Sequence, residues 1–331
     1  MIGFEEGRTR QFDGLDLVIA RSAAAEVPSV GAGSAVLLAG IGASHAALAT
    51  PLQVLRSSGL TAMRSDCSDL RRVPERGPDA VVAVSQSGRS VETADLATRF
   101  VAAGIPVLAV TNAEESPLTH IAPHRLTLGG GEDSRVSTVG FVTTFVALSL
   151  LAEKWAGVVP EISWRRMPEI AAAASAQARP VLQAFAARHL AAGSADVTAS
   201  AEDMTAAEAF ALLLREGPLV PSTAFGTRAY LHGPMDIAGG AVSHVLLGDE
   251  REAQLAVQLR ERTEATLLLT TRTSVDAEAG PAVRVPGGLT PCQRALVEVC
   301  VLQELLSLTA SARGTSVDAS VFVRQDTKLV V

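Results

Sequence analysis

From about residue 34 onward, short apolar runs alternate with longer stretches of helical spacing. This is the pattern of βα units around a mostly parallel sheet, whose strands are covered on both faces and read as nearly unbroken hydrophobic runs. Five runs predict strands in the first half, at 34–40, 60–66, 79–85, 105–112 and 124–130. Helices fill the intervals, and a long one from about Thr138 to Trp155 closes the set. Its apolar centre, Gly140 to Ala152, carries Thr143, Thr144 and Ser149. At that length it falls short of the roughly 20 residues a bilayer span needs, so a buried helix is expected.

The rhythm breaks at GVVPEISWRRMPEI, where two prolines and lost periodicity predict a linker leading into a connecting helix over about 167–190. A second set follows, with strands expected at 195–200, 222–226, 242–248, 265–272 and 281–287 and helices near 203–216, 250–262 and 290–312. Residues 81–112 and 242–271 share one strand, helix, strand order, so the halves read as a duplicated α/β unit. The expected boundaries are 30–157 for the first domain, 158–188 for the linker and connecting helix, and 189–331 for the second domain with its tail.

Composition agrees with two domains. The chain has 331 residues, 48% of them hydrophobic, enough for two separate cores. Its net charge of -7 is spread along the chain and offers no basic face to a nucleic-acid backbone, so no nucleic acid is expected as a partner. The opening MIGFEEGRTR mixes both charges and leads into no apolar core, which predicts no secretory leader and a cytoplasmic protein with no membrane partner. Cys67, Cys292 and Cys300 form no CxxC spacing, so they are expected as buried thiols without a metal or a disulfide framework.

In an open parallel sheet, ligands bind beyond the carboxyl ends of the strands near the switch point. The loop after the first strand is Gly40-Ile41-Gly42-Ala43-Ser44, and the loop after the third is Ser85-Gln86-Ser87-Gly88-Arg89-Ser90. Each runs directly into a helix. Small residues let the backbone approach an anion, hydroxyls donate to it, and the helix N-terminus adds free N–H groups and a favourable dipole. One serine before a helix is more often a cap. Three hydroxyls and an amide within six residues, beside a second Gly-Ser turn, point to an oxyanion site. The corresponding turn of the second half, Gly248-Asp249-Glu250-Arg251, carries two carboxylates that would repel an anion. One phosphate site per chain is therefore expected.

G-I-G-A-S, then S-Q-S-G-R-S, T-N and E-D-S-R-V-S-T-V-G-F together resemble the first domain of the double sugar isomerase (SIS) proteins, among them the isomerase part of glucosamine-6-phosphate synthase. The resemblance implies two tandem SIS domains, each a flavodoxin-like parallel sheet flanked by helices. It places Ser44, Ser85, Gln86, Ser87 and Ser90 on the sugar phosphate, and Val136 and Ser137 on the sugar hydroxyls. Arg89 stands where the family commonly has glutamate.

In the second half, EGPLVPSTAFGTRAYLHGP sets Glu216 sixteen residues before His232. It resembles the family's second domain, which implies Glu216 as the base moving a proton between C1 and C2 and His232 as the group assisting ring opening. Interconverting an aldose and a ketose through an enediol needs such a carboxylate and a second proton carrier. The chain holds 26 arginines but only two lysines, Lys154 and Lys328. An arginine cannot form an imine, whereas a partly desolvated lysine can attack a sugar carbonyl. Arg324-Gln325-Asp326-Thr327-Lys328 has the spacing of the synthase tail, which implies Lys328 as a third catalytic residue.

Departures weigh against the synthase reaction itself. Leu213 and Ala209 replace a lysine and a glutamate of the family's second-domain helix, with Glu208 one place off, and Ala199-Ser200-Ala201 replaces Gly-Arg-Gly. No glutaminase is expected, because Ile2 stands where such a domain needs a cysteine. The expectation is a phosphosugar isomerase or aminosugar-phosphate deaminase acting at C1/C2 of a sugar 6-phosphate, without cofactor, as a homodimer with sites shared between subunits. The alternatives are a fructosamine-6-phosphate deglycase or a non-catalytic sugar-phosphate sensor, the latter without a DNA-binding module, for which residues before 30 leave no room.

Overall fold

The computed structural model describes residues 1–129, 131–322 and 327–329. It divides into two compact units, Met1–Val159 together with the described residues from Ser320 onward, and Pro160–Ala319. Gly130, at the end of the fifth expected strand, and Arg324, Gln325 and Asp326 of the tail motif lie outside the described residues.

The first unit opens with α1 (Phe4–Arg10) and α2 (Leu15–Ala24), two short helices that the hydrophobic pattern does not assign. Helix α2 buries Leu15 and Val18. Then come β1 (Ala35–Gly40), α3 (Ala43–Ala46), α4 (Ala49–Ser57), β2 (Thr61–Asp66), β3 (Ala80–Val84), α5 (Val91–Ala102), β4 (Val107–Thr111), α6 (Pro117–Ile121), β5 (His124–Thr127) and α7 (Val139–Ala156). All five expected strands form, each shortened by a residue or more at its ends. They pair in parallel in the order β2-β1-β3-β4-β5. Every residue of β3 and β4 is buried, which is why these strands read as plain apolar runs. Leu96, Ala97 and Phe100 of α5 pack on Leu37, Ala39, Val81, Ala83, Val107 and Ala109 of the sheet. Full burial of one such large side chain contributes about 1.5–3 kcal/mol.

The second unit comprises α8 (Met167–Phe185), ending in a π turn at Ala186–Leu190, then β6 (Ser194–Ala199), α9 (Met204–Glu216), β7 (Ser222–Gly226), α10 (Thr227–Tyr230), β8 (Val242–Leu247), α11 (Glu250–Arg260), β9 (Thr266–Thr270), β10 (Ala282–Arg284) and α12 (Pro291–Arg313). Its parallel sheet runs β7-β6-β8-β9-β10. That is the strand order of the first sheet repeated, so the duplication read in the sequence holds for the topology. Helices α7 and α12 are long and apolar enough to span a bilayer, but each is mostly buried inside its own unit. Such helices are apolar over most of their length because most of it faces the core. The three cysteines are free and buried, and burial pushes the Cys67 thiol up to about 11.

A polar group is sealed into the second core. Asp196 of β6 and His244 of β8 are register partners, and the Tyr230 hydroxyl sits between them, 3.2 Å from Asp196 Oδ2 and 2.7 Å from His244 Nδ1. If the phenol donates to Asp196, Nδ1–H of a neutral imidazole donates to the phenol oxygen and Nε2 is left as a bare acceptor. Nε2 indeed has no hydrogen-bond partner, and an unpaired acceptor in a core is the less costly orphan. Burial pulls the His244 pKa down to about 4. Because the ordinary value is about 6.5, the unfolded chain takes up a proton that the folded chain refuses as pH falls from 6.5 towards 4. Stability is therefore lost on acidification through that window, by about 3 kcal/mol in all at 1.36 kcal/mol per unit. Urea unfolding at pH 7.5 and pH 4.5 should show a steeper loss for the wild type than for His244→Leu. Equal losses would mean that His244 is protonated in the folded protein. Asp196, whose own pKa burial raises, remains in both proteins, so the comparison isolates the imidazole.

Candidate functional site

Strands β1 and β3 are neighbours at the switch point of the first sheet, with Ala39 in register with Ala83. Their carboxyl-end loops therefore lie side by side, where such sheets bind ligands. Gly40 closes β1, and a Cβ there would lie 2.9 Å from the Ser44 backbone, so a side chain would push α3 off the strand end. Ser44 is half-buried in the first turn of α3.

The loop after β3 is a tight turn, Gly88 N–H donating to the Ser85 carbonyl at 2.9 Å. Ser85 is buried, and its Oγ lies 3.0 Å from Ser90 Oγ. Ser90 occupies the N-cap position of α5, yet its hydroxyl makes no cap bond to the helix. Capping is the ordinary role of a serine there, and its absence leaves the first-turn N–H groups of α5 uncapped by a side chain. Ser87 Oγ accepts from Arg89 N–H at 3.3 Å. The Thr111-Asn112 pair after β4 braces the loop, since Thr111 Oγ1 and Asn112 N–H both donate to the Gln86 carbonyl, at 3.1 and 2.9 Å.

Gly88 has φ +63, and a Cβ on it would lie 2.1 Å from Ser116 Oγ and 3.0 Å from Thr111 Oγ1. Gly88→Ala meets both a disfavoured backbone region and a collision. It is expected to cost about 1–3 kcal/mol of stability and to weaken inorganic phosphate binding, read by calorimetry. Unchanged phosphate affinity in a folded Gly88→Ala protein would detach this turn from anion binding.

Residues 133–138 support the loop from the other side. Asp133 accepts from Gln86 Nε2 at 2.8 Å and from Ser137 Oγ at 2.6 Å through Oδ2, and from the N–H groups of Ser134 and Thr138 through Oδ1 at 2.9 and 3.0 Å. Two residues expected on the ligand, Gln86 and Ser137, are thus gathered by one carboxylate that sequence reasoning missed. Val136 is fully buried, and its carbonyl accepts from Ser134 Oγ at 2.6 Å. Its side chain fills core, and only its main chain could meet a sugar hydroxyl. Ile2 N–H donates to the Asp133 carbonyl at 3.2 Å, tying the start of the chain to the same segment.

The tail returns to this loop. Lys328 makes an isolated antiparallel bridge with Ser90, and Leu329 N–H donates to the Arg89 carbonyl at 2.8 Å. The Lys328 side chain is exposed. In the second unit, Glu216 is the half-buried last residue of α9. Gly217 N–H closes on the Leu213 carbonyl, Leu219 adopts a left-handed φ of +57, and Val220 N–H returns to Leu214. Leu219 is the one non-glycine with positive φ among the described residues, and such strain concentrates at functional segments. His232 is exposed in the turn after α10, with its N–H on the Ala229 carbonyl.

The loops of the second sheet equivalent to those that carry serines in the first hold carboxylates and are closed by an arginine. Asp203, fully buried beyond β6, and Asp249, beyond β8, both pair with Arg294 of α12. Glu298, one turn along α12, lies 3.9 Å from the same guanidinium. Burial raises Asp203, and it raises Glu298 well above the carboxylate range, helped by the Asp203 charge. Burial also works on Asp249, but the Thr271 N–H, the Thr270 and Thr271 hydroxyls and Arg294 hold it below that range. This crevice is filled from within and presents acceptors, which argues for a single anion site per chain. Among the described residues no cluster of His, Cys, Asp and Glu is arranged to hold a metal ion.

With the loop after β3 and the strand order in view, the first sheet can be placed. Residues 34–154 match the SIS domain family. The full chain shares its fold with the C-terminal domain of glucosamine-fructose-6-phosphate aminotransferase from Francisella tularensis, at TM-score 0.79 and 16% identity over 96% of this chain and 98% of that one. Tagatose-6-phosphate ketose/aldose isomerase from Escherichia coli superimposes at 0.78, with 16% identity over 95% of this chain and 94% of that one. Glucosamine-6-phosphate deaminase from Thermotoga maritima does so at 0.75, with 18% identity over 99% and 98%. No curated protein matches the sequence. At these identities the SIS-fold structures establish the fold of both sheets and leave the reaction to the residues.

Proposed function

We propose that the protein binds a sugar 6-phosphate at the Ser85–Ser90 loop and rearranges or deaminates it at C1 and C2. The reading rests on the Ser85 and Ser90 hydroxyls, set 3.0 Å apart at a helix N-terminus that neither caps. The two hydroxyls share one hydrogen bond, which leaves one O–H free to turn, with the helix N-terminus, towards a dianionic phosphate at the switch-point crevice. Glu216 is the proposed base, taking the proton from C2 of an aldose or C1 of a ketose and returning it to the neighbouring carbon of the enediol. His232 is the proposed proton carrier at the ring oxygen, and Lys328 the amine that would form an imine with a ketose carbonyl. In the proposed homodimer, His232 of one copy serves the site of the other.

Ala209 and Leu213 of α9 are buried apolar residues. They stand where the synthase uses a glutamate and a lysine, so the reading is isomerase or deaminase rather than synthase. The sugar 6-phosphates of glucose, fructose and glucosamine should raise the Tm, by the equivalent of about 2.7 kcal/mol at a hundredfold excess over Kd. The unphosphorylated sugars should not. Equal stabilisation by free fructose would remove the loop from binding. In heavy water, deuterium should enter C1 or C2 of the true substrate. Binding without exchange across the panel, fructosamine 6-phosphate included, would make the protein a sensor.

A further inference from the structure

Arg89 is the residue of the phosphate loop that the resemblance leaves without a role, and its side chain does not face the anion. Its Nε and Nη2 both donate to the Leu329 carbonyl, at 2.9 and 2.7 Å, across a separation of 240 residues. Its own carbonyl accepts from Leu329 N–H at 2.8 Å. The main chain and the side chain of one arginine therefore hold both polar groups of a single tail residue. A fork with two donors on one oxygen fixes direction as well as distance. The antiparallel bridge between Ser90 and Lys328 then follows as the next step of the same register. Residues paired in this way have Cα atoms about 4.5–5.5 Å apart, so the Lys328 stem starts beside the hydroxyl of the loop serine.

We propose that Arg89 is a positioning residue. It sets the register of the C-terminal tail and so places the ammonium of Lys328 at the phosphate loop. A slip of one residue would turn Lys328 to the opposite face of the bridge. The loop supplies hydroxyls and N–H groups but no other free cation, because its one arginine is committed to the tail. In the absence of a sugar, the lysine that the arginine holds thus faces an anion in the loop, and with a ketose phosphate bound the same amine turns to the carbonyl. The phosphate part of this inference rests on the function proposed above, whereas the hold of Arg89 on the tail does not.

The sequence offers a clean readout, since Lys154 is the only other lysine and is exposed on α7. The first arm uses no ligand. Hydrogen exchange at the Leu329 amide should be about tenfold faster in Arg89→Ala than in the wild type and intermediate in Arg89→Lys, which keeps the charge but loses the fork. Equal exchange rates in all three proteins would overturn the proposal. The second arm acetylates the protein with and without inorganic phosphate, taking Lys154 as the internal reference. Phosphate should slow modification of Lys328 several-fold in the wild type. In Arg89→Ala that protection should vanish while the phosphate-induced rise in Tm persists. A rise in Tm without protection of Lys328 in the wild type would also overturn it, by showing that the held lysine does not reach the anion. If phosphate leaves the wild-type Tm unmoved, the phosphate reading of the loop fails, and the first arm still decides whether Arg89 sets the register.

Discussion

Glu216→Gln should lower C1/C2 proton exchange by about 10²- to 10⁴-fold, the usual effect of removing a general base. Sugar-phosphate affinity should stay within a small factor, because a group that acts on the reacting proton contributes little to ground-state binding. The amide keeps the size of the side chain and its place at the end of α9, beside the turn through Leu219. Proton exchange by mass spectrometry in heavy water reads the rate, and calorimetry with the same sugar phosphate reads affinity. Exchange at the wild-type rate would take Glu216 out of the reaction, and loss of binding would make it a structural residue. The same variant tests assembly. Mixed with His232→Ala under subunit exchange, it should recover roughly a quarter of wild-type activity if half the dimers are mixed and one site in each is intact. No recovery after confirmed exchange would place both groups in one chain's site.

Arg294→Leu should destabilise the second unit by about 3–5 kcal/mol at neutral pH. Arg294 is 14% exposed, Asp203 is fully buried, and Glu298 has 1% of its side chain exposed. Removing the guanidinium leaves Asp203 charged in a low dielectric, with the Ser200 hydroxyl at 2.7 Å and the Glu298 carboxyl as hydrogen-bond partners but no cation. Replacing the group as a whole is a different matter, since a buried ion pair contributes little beyond a well-packed apolar substitute. The double variant Arg294→Leu with Asp203→Asn should therefore recover much of the loss. Arg166, whose ion pair with Glu169 is mostly in water, should change stability by no more than about 0.5 kcal/mol when replaced by leucine. Urea unfolding followed by far-UV circular dichroism measures all three. A cost near that of Arg166→Leu would show that water already screens the Arg294 cluster.

The sheets were legible in the sequence for one physical reason. Parallel strands buried on both faces must be apolar throughout, and their loops must carry glycine, proline or small polar residues. All ten expected strands form, and the long apolar helix of 138–155 appears as α7 at Val139–Ala156. Helices α1 and α2 escaped because they are short and only two residues of each are buried, too few to set a period. At the candidate site, the turn Ser85–Ser90 could be read because its chemistry is contiguous. What organises it could not. Asp133 collects donors from residue 86 and from residues 134–138, and nothing local marks a carboxylate for that task. Arg89 finds its partner 240 residues away. Glu298 sits inside the apolar helix α12, where its neighbours predict only burial.

The first unit is built from two stretches of chain with the whole second unit between them. During synthesis the Ser85–Ser90 turn leaves the ribosome long before Lys328, and chains grow at about 5–20 residues per second. A lag of 240 residues is then roughly ten to fifty seconds, ample time for β1 to β5 to fold while the tail does not yet exist. The nascent first unit passes through a stage in which its serines are assembled and no lysine stands beside them. Its final contact is closed by residues made only after the whole second unit, so a ribosome stalled shortly before them would leave a folded sheet with an open loop.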